Sequence, residues 1–160
     1  MKVIKEVIPY IVIVVVVVLI RTFIITPVRV DGDSMKNTLK NGDILLLYKL
    51  SSIDRFDIIV LDEEKDNEKI IKRVIGLPGE TVAIKKGKIY INDKVIDDDY
   101  AYGETTDYNK VTLKDDEYFI LGDNRLISKD SRYFGPIKDN EIKGKIVFRL
   151  FPFTKIGTVQ

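Results

Sequence analysis

Residues Val7 to Ile25 form an apolar run broken only by Pro9, Tyr10, Arg21 and Thr22, and nothing else in the chain limits its architecture so strongly. Nineteen residues in a helix span about 28 Å, close to the hydrocarbon thickness of a bilayer. Valine-rich sequence such as Ile11 to Val18 is a poor helix former in water. In hydrocarbon, however, each backbone amide must be satisfied within its own segment, which leaves helix as the accessible state. A strand of a soluble core would be shorter. A cleaved leader would end in a small-x-small site, where Thr26-Pro27-Val28-Arg29 stands instead. The run therefore reads as an uncleaved signal anchor. Lys2, Lys5 and the amino terminus precede it, so the positive-inside tendency places residues 1–6 in the cytoplasm, 7–25 in the membrane and 26–160 outside.

Past the anchor, roughly 130 residues remain, enough for one hydrophobic core. The first 28 residues contain Lys2, Lys5, Arg21 and Glu6, and the remainder carries 23 basic and 24 acidic side chains. That balance gives no electrostatic footprint for nucleic acid. The chain has no cysteine and no histidine. Disulfides, thiolate catalysis and Cys-ligated zinc are excluded, and both the commonest metal ligand and the commonest general base are missing.

Short strands separated by turns are expected at Pro27 to Val30, Asp43 to Tyr48, Asp57 to Asp62, Lys69 to Ile75, Tyr118 to Leu121 and Lys145 to Leu150. Asn92-Asp93 between Lys88–Ile91 and Lys94–Ile96 reads as a tight hairpin. Met35 to Leu39 resembles a helical turn. The polar tract Asp97 to Asn109 has few aliphatic residues and reads as a mobile surface loop. The pattern predicts a single mainly β domain.

Three segments could carry chemistry. In Asp31-Gly32-Asp33-Ser34-Met35 the serine sits in a tight turn, where a hydroxyl commonly bonds nearby backbone. A nucleophilic role would need a base, and with histidine absent the best available one is a lysine on an apolar strand face. In Lys69-Ile70-Ile71-Lys72-Arg73-Val74-Ile75, alternation puts Ile70, Lys72 and Val74 on one face. An ordinary lysine is neutral only about once in 2,500 molecules at pH 7, so Lys72 would need desolvation to act as a base. Alternation alone favours an ordinary solvated lysine there. The third segment runs from Gly122 to Arg132. Its Ser128 could hold a buried amine, with Asp123, Arg125, Asp130 and Arg132 pairing in support. The 12-residue EF-hand ligand pattern is not met, and neither metal nor cofactor is expected.

The ordered set Gly32-Asp33-Ser34-Met35 with Thr38-Leu39, Gly42-Asp43, Lys72-Arg73-Val74-Ile75-Gly76 with Pro78-Gly79-Glu80, Gly122-Asp123-Asn124-Arg125 with Ser128, Asp130-Ser131-Arg132, and Phe134-Gly135 resembles bacterial type I signal peptidase (peptidase family S26). The match is to the small single-anchor form of Gram-positive bacteria. The resemblance implies a mainly β domain of coiled sheets behind one N-terminal transmembrane helix. It further implies a serine endopeptidase of the cell membrane that removes signal peptides from secretory preproteins after small-x-small sites. By the same resemblance Ser34 is the nucleophile and supplies a backbone N–H to the oxyanion, Lys72 is the base, and Ser128 orients its amine. Asp31, Met35, Ile70 and Val74 would line the substrate pockets. Two positions depart from the family pattern: Gly32 lacks the hydroxyl some members place in the oxyanion hole, and Asn37 replaces a usual proline. Two alternatives stay open on sequence: a self-cleaving repressor-type Ser/Lys peptidase, and a non-catalytic membrane-tethered homologue.

Overall fold

The computed structural model describes residues 2–62 and 69–159, with side chains from residue 6 onward. The side chains of Lys2 and Lys5, on which the orientation reading rests, lie outside the described residues. Helix α1 (Lys2–Phe23) carries the apolar run, and its side chains from Glu6 to Phe23 are exposed along the whole length. The helix stops two residues earlier than the run does, and Ile25 already belongs to the first strand. Its last carbonyls are satisfied from outside: Thr26 Oγ1 donates to Arg21 O at 2.8 Å, and Lys49 Nζ donates to Thr22 O at 2.7 Å. A cation at a helix C-terminus also complements the macrodipole.

Strands β1 (Ile25–Arg29), β2 (Ile44–Tyr48), β3 (Ile58–Asp62) and β4 (Lys69–Gly76) follow. Next come β5 (Thr81–Lys85), β6 (Lys88–Ile91), β7 (Lys94–Ile96), β8 (Tyr108–Thr112) and β9 (Glu117–Leu121). The chain closes with the short helix α2 (Ser131–Phe134), β10 (Ile137–Lys138), β11 (Ile142–Phe151) and β12 (Gly157–Thr158). The larger sheet runs β1-β2-β11-β3-β4-β9-β10 with β12 beside β11; a smaller sheet runs β7-β6-β5-β8. The pairings are antiparallel, so the fold is mainly β, as the strand pattern predicts.

Strand β3 explains why patterning alone blurs here. Ile58, Ile59, Val60 and Leu61 are all buried, because β3 lies inside the sheet between β11 and β4 and is covered on both faces. The long β11 bends through register shifts near Ile146 and Arg149, which coils the sheet around the core. One core cluster joins Val28, Val30, Met35, Leu39 and Ile71, and so fixes the segment containing Ser34 against β4. The hairpin expected at Asn92-Asp93 is present as β6–β7, with φ 50° and 64° at the two turn residues.

Candidate active site

Ser34 lies in the connection from β1 to β2. Both ends of that connection are closed by main-chain bonds: Val30 N donates to Asp43 O at 2.9 Å and Gly42 N to Val30 O at 3.0 Å. Met35 and Leu39 are buried at 2 % and 0 % exposure and are linked by a helical-turn bond from Leu39 N to Met35 O. Ser34 is left half-buried beside this anchor. Asn37 adopts φ 98°, which a proline ring locked near −65° cannot reach. The turn is kept, but with a backbone that asparagine tolerates and proline does not.

Lys72 comes from the middle of β4, opposite Ile59 of β3, and is 4 % exposed. Its Nζ lies 2.9 Å from Ser34 Oγ. Burial disfavours the charged ammonium. Ser128 is also buried, yet its Oγ makes no hydrogen bond among the described residues, so the expected direct bond to the Lys72 amine is not formed. Ser128 does sit at the turn that carries Ser34. A Cβ placed on Gly122 would fall 2.2 Å from Ser128 Oγ and 2.7 Å from Ser34 O, so glycine at 122 is what lets the two segments meet.

The supporting charges pair differently from the sequence expectation. Asp123 pairs with Arg73 rather than with a neighbour in its own loop: Arg73 Nε and Nη2 each donate to it at 2.8 Å, with both side chains fully buried. The pairing spans 50 residues of sequence, which local reading could not see. Thr38, four residues after Ser34, donates its hydroxyl to the same carboxylate, and its carbonyl accepts from Arg149 Nη2 at 2.6 Å. Asp130 and Arg132 do pair, at 2.8 Å, and Asp130 Oδ2 accepts from Gly122 N at 3.0 Å.

Arg125 pairs with Asp98, which lies in the tract expected to be a mobile surface loop. The tract does lie at the surface, but it is anchored there. Tyr100 lies under the Arg73 guanidinium, with 3.5 Å from Cζ to the ring centroid. Tyr102 N donates to Asp123 O at 2.7 Å, Arg125 N donates to Tyr102 O at 2.9 Å, and Thr105 Oγ1 accepts from Arg125 Nη1 at 2.9 Å. Residues 98–105 therefore strap the loop of residues 122–132 from outside. The tract lacks aliphatic residues because its anchors are polar and aromatic groups, with partners in residues 122–132 and, for Tyr100, in Arg73 of β4. Its end, from Tyr108, is strand β8.

A groove of about 580 Å³ opens at Ser34 and is lined by residues 27–32, Met35 and residues 69–72. Asp31, Met35 and Ile70 border it as expected. Val74 does not: it is fully buried with Ile59, Leu61, Ile120 and Ile137. The reason is the register of β9, which pairs with β4 only from Arg73 onward, so Val74 is covered while Lys69–Lys72 keep an open edge. Arg73, Thr38, Asn124, Arg149 and the strap residues are the parts of this site that sequence reasoning missed as participants. Regular spacing from Asp98 through Tyr100 to Tyr102 was the one available hint of a strand-like strap.

The profile for "Signal peptidase, peptidase S26" matches residues 3–151. A signal peptidase I of Bacillus caldolyticus is 42% identical, over 93% of this chain and 92% of its own. Signal peptidase I of Streptococcus pneumoniae serotype 4 is 38% identical, over 86% of this chain and 88% of its own. The crystal structure of a signal peptidase I from Enterococcus faecalis V583 superposes with a TM-score of 0.53 at 35% identity, covering 59% of this chain and 97% of that one. Matched along almost its whole length, the chain belongs to the signal peptidase family, peptidase S26.

Proposed function

We propose that Ser34 and Lys72 are the catalytic dyad with which this signal peptidase cleaves signal peptides from exported preproteins, and that it cuts after small-x-small sites. The observation carrying this reading is the 2.9 Å contact between Lys72 Nζ and Ser34 Oγ, with Lys72 almost fully buried in the wall of an open groove. Neutral Lys72 takes the hydroxyl proton as Ser34 Oγ bonds to the scissile carbonyl carbon. The carbonyl electrons move to oxygen, where the Ser34 N–H stabilises them. Collapse expels the new amino terminus with a proton from Lys72, leaving an acyl ester on Ser34. Lys72 then accepts a proton from the water that hydrolyses the ester.

The groove favours an extended peptide. β1 ends the larger sheet, and Lys69–Lys72 have no strand on their β9 side among the described residues, so backbone amides on both walls can pair with substrate main chain. Met35 is 2 % exposed and Ile71 6 %, so the floor is shallow and apolar, suited to small side chains. Helix α1 anchors the chain once in the cell membrane, with residues 1–6 cytoplasmic and the peptidase domain from residue 26 outside, and lipid is its second partner. A preprotein is incubated with the purified full chain, Ser34→Ala and Lys72→Ala, and the products are mapped by mass spectrometry. Both variants lose cleavage while keeping their thermal transition, as groups acting as a unit do. Full processing by either variant, or cutting away from small-x-small sites, defeats the reading.

A further inference from the structure

The two peptide units that flank Ser34 are held by one residue of the catalytic loop. Asn124 N donates to Ser34 O at 2.9 Å, and Asn124 Nδ2 donates to Asp33 O at 3.2 Å. A carbonyl oxygen only accepts, so the side-chain atom facing Asp33 O has to be the amide NH₂. Asn124 is 6 % exposed, and its Oδ1 has no hydrogen-bond partner among the described residues. Leaving a buried acceptor unpaired is unfavourable. What the asparagine amide contributes to the protein here is therefore its donor.

A trans peptide unit is planar, and its C=O and N–H point in opposite directions. With Asp33 O held against Asn124, the Ser34 N–H of the same unit points away from the catalytic loop. Asn124 does not line the groove, and the Ser34 N–H donates to no carbonyl among the described residues. That N–H is left to meet a substrate. Gly32 brings no hydroxyl to help it, so the stabilisation of the oxyanion depends on how this one peptide plane is turned.

We infer that Asn124 is a positioning residue for the oxyanion hole: its side-chain amide fixes the Asp33–Ser34 peptide plane so that the Ser34 N–H faces the carbonyl oxygen of the bond being cut. The inference rests on Ser34 being the nucleophile. Asn124 touches no reacting atom and acts through the backbone. Holding the plane matters most when charge has moved onto oxygen, so its effect belongs to the transition state rather than to substrate binding.

The test uses the full chain in detergent micelles, a signal-sequence peptide substrate, and the same sequence ending in an aldehyde, which adds the serine hydroxyl to form a tetrahedral adduct. Asn124→Ala and Asn124→Asp are compared with the parent and with Ser34→Ala for kcat, KM, aldehyde affinity and thermal transition. Asn124→Ala lowers kcat by about 10- to 100-fold. Its KM stays within about twofold, and aldehyde affinity falls in step with kcat. Asn124→Asp, which keeps the shape if alanine fails to fold, sets a carboxylate oxygen against Asp33 O and falls at least as far. The inference is overturned if a folded variant keeps kcat within about twofold of the parent, or if kcat falls while aldehyde affinity does not. Cleavage by Ser34→Ala would instead remove the nucleophile assignment, whatever the Asn124 variants do.

Discussion

Replacing Asp123 by asparagine removes a charge from a place where neither it nor its partner Arg73 reaches solvent. Asp123 accepts three hydrogen bonds, two from Arg73 and one from the Thr38 hydroxyl. Asparagine can accept only through Oδ1, so its NH₂ group confronts at least one of the guanidinium N–H donors. The guanidinium keeps its bond to Phe56 O and its place over Tyr100, but no counter-charge. Leaving one member of a buried pair uncompensated costs about 3–5 kcal/mol, of which a cation–π contact of about 1–2 kcal/mol, already present in the parent, recovers nothing. For a domain this size that is a fall of roughly 10–15 °C in the thermal transition. Thermal and urea unfolding of the full chain in micelles would measure it, beside the double variant Arg73→Met/Asp123→Leu. The double variant regains most of the loss, because it removes the stranded charge instead of creating one. A loss under about 1 kcal/mol for Asp123→Asn, or a double variant no more stable than the single one, would refute the account.

Cleavage rate depends on pH through Lys72, which accepts a proton only as the neutral amine: the rate rises about tenfold per pH unit below its midpoint and then levels off. A profile that falls with rising pH in that range counts against lysine as the base. Asn37→Pro, the residue usual in the family, costs more than about 1 kcal/mol because φ 98° is closed to it, whereas Asn37→Gly is tolerated; urea midpoints decide. Asp98→Ala strands Arg125 inside the loop, where the pair's side chains are 1% and 7% exposed. It should lower stability by about 3 kcal/mol and speed hydrogen exchange at the Tyr102 and Arg125 amides. Unchanged exchange there would mean that residues 98–105 do not brace the loop.

Features set by local chemistry could be read from the chain. The apolar run became α1 because nineteen residues with only four interruptions have few other states, and Asn92-Asp93 made the hairpin because both residues accept left-handed backbone. Ser34 and Lys72 were visible as residue types and were joined by family resemblance, since alternation alone favours Lys72 on a wet face. What escaped was non-local. Asp123 found Arg73 across 50 residues, and Asp98 found Arg125 across 27. Val74 shares an alternation face with Ile70 but is paired with Ile120 of β9, and only the register of that pairing separates the groove wall from the core. The end of α1 was misplaced because Ile24 and Ile25 continue the hydropathy, while Thr26 and Lys49 decide where the helix gives way to strand.

The junction between α1 and β1 has a mechanical meaning. A single residue, Ile24, separates the last helical residue from the first strand residue, and Lys49 ties the domain back to the helix end. Nothing there works as a tether. With α1 in the bilayer, the ten residues from Ile25 to Ser34 reach at most about 30 Å end to end even if stretched, and the turn at Ser34 shortens that. The hydroxyl therefore travels at a set height over the lipid, and a chain threaded through the same bilayer brings only a narrow band of its length level with it. Such an enzyme measures depth as well as sequence. On the proposed reading, small-x-small motifs that lie too deep in the membrane or too far above it are expected to go uncut, whatever their fit to the groove.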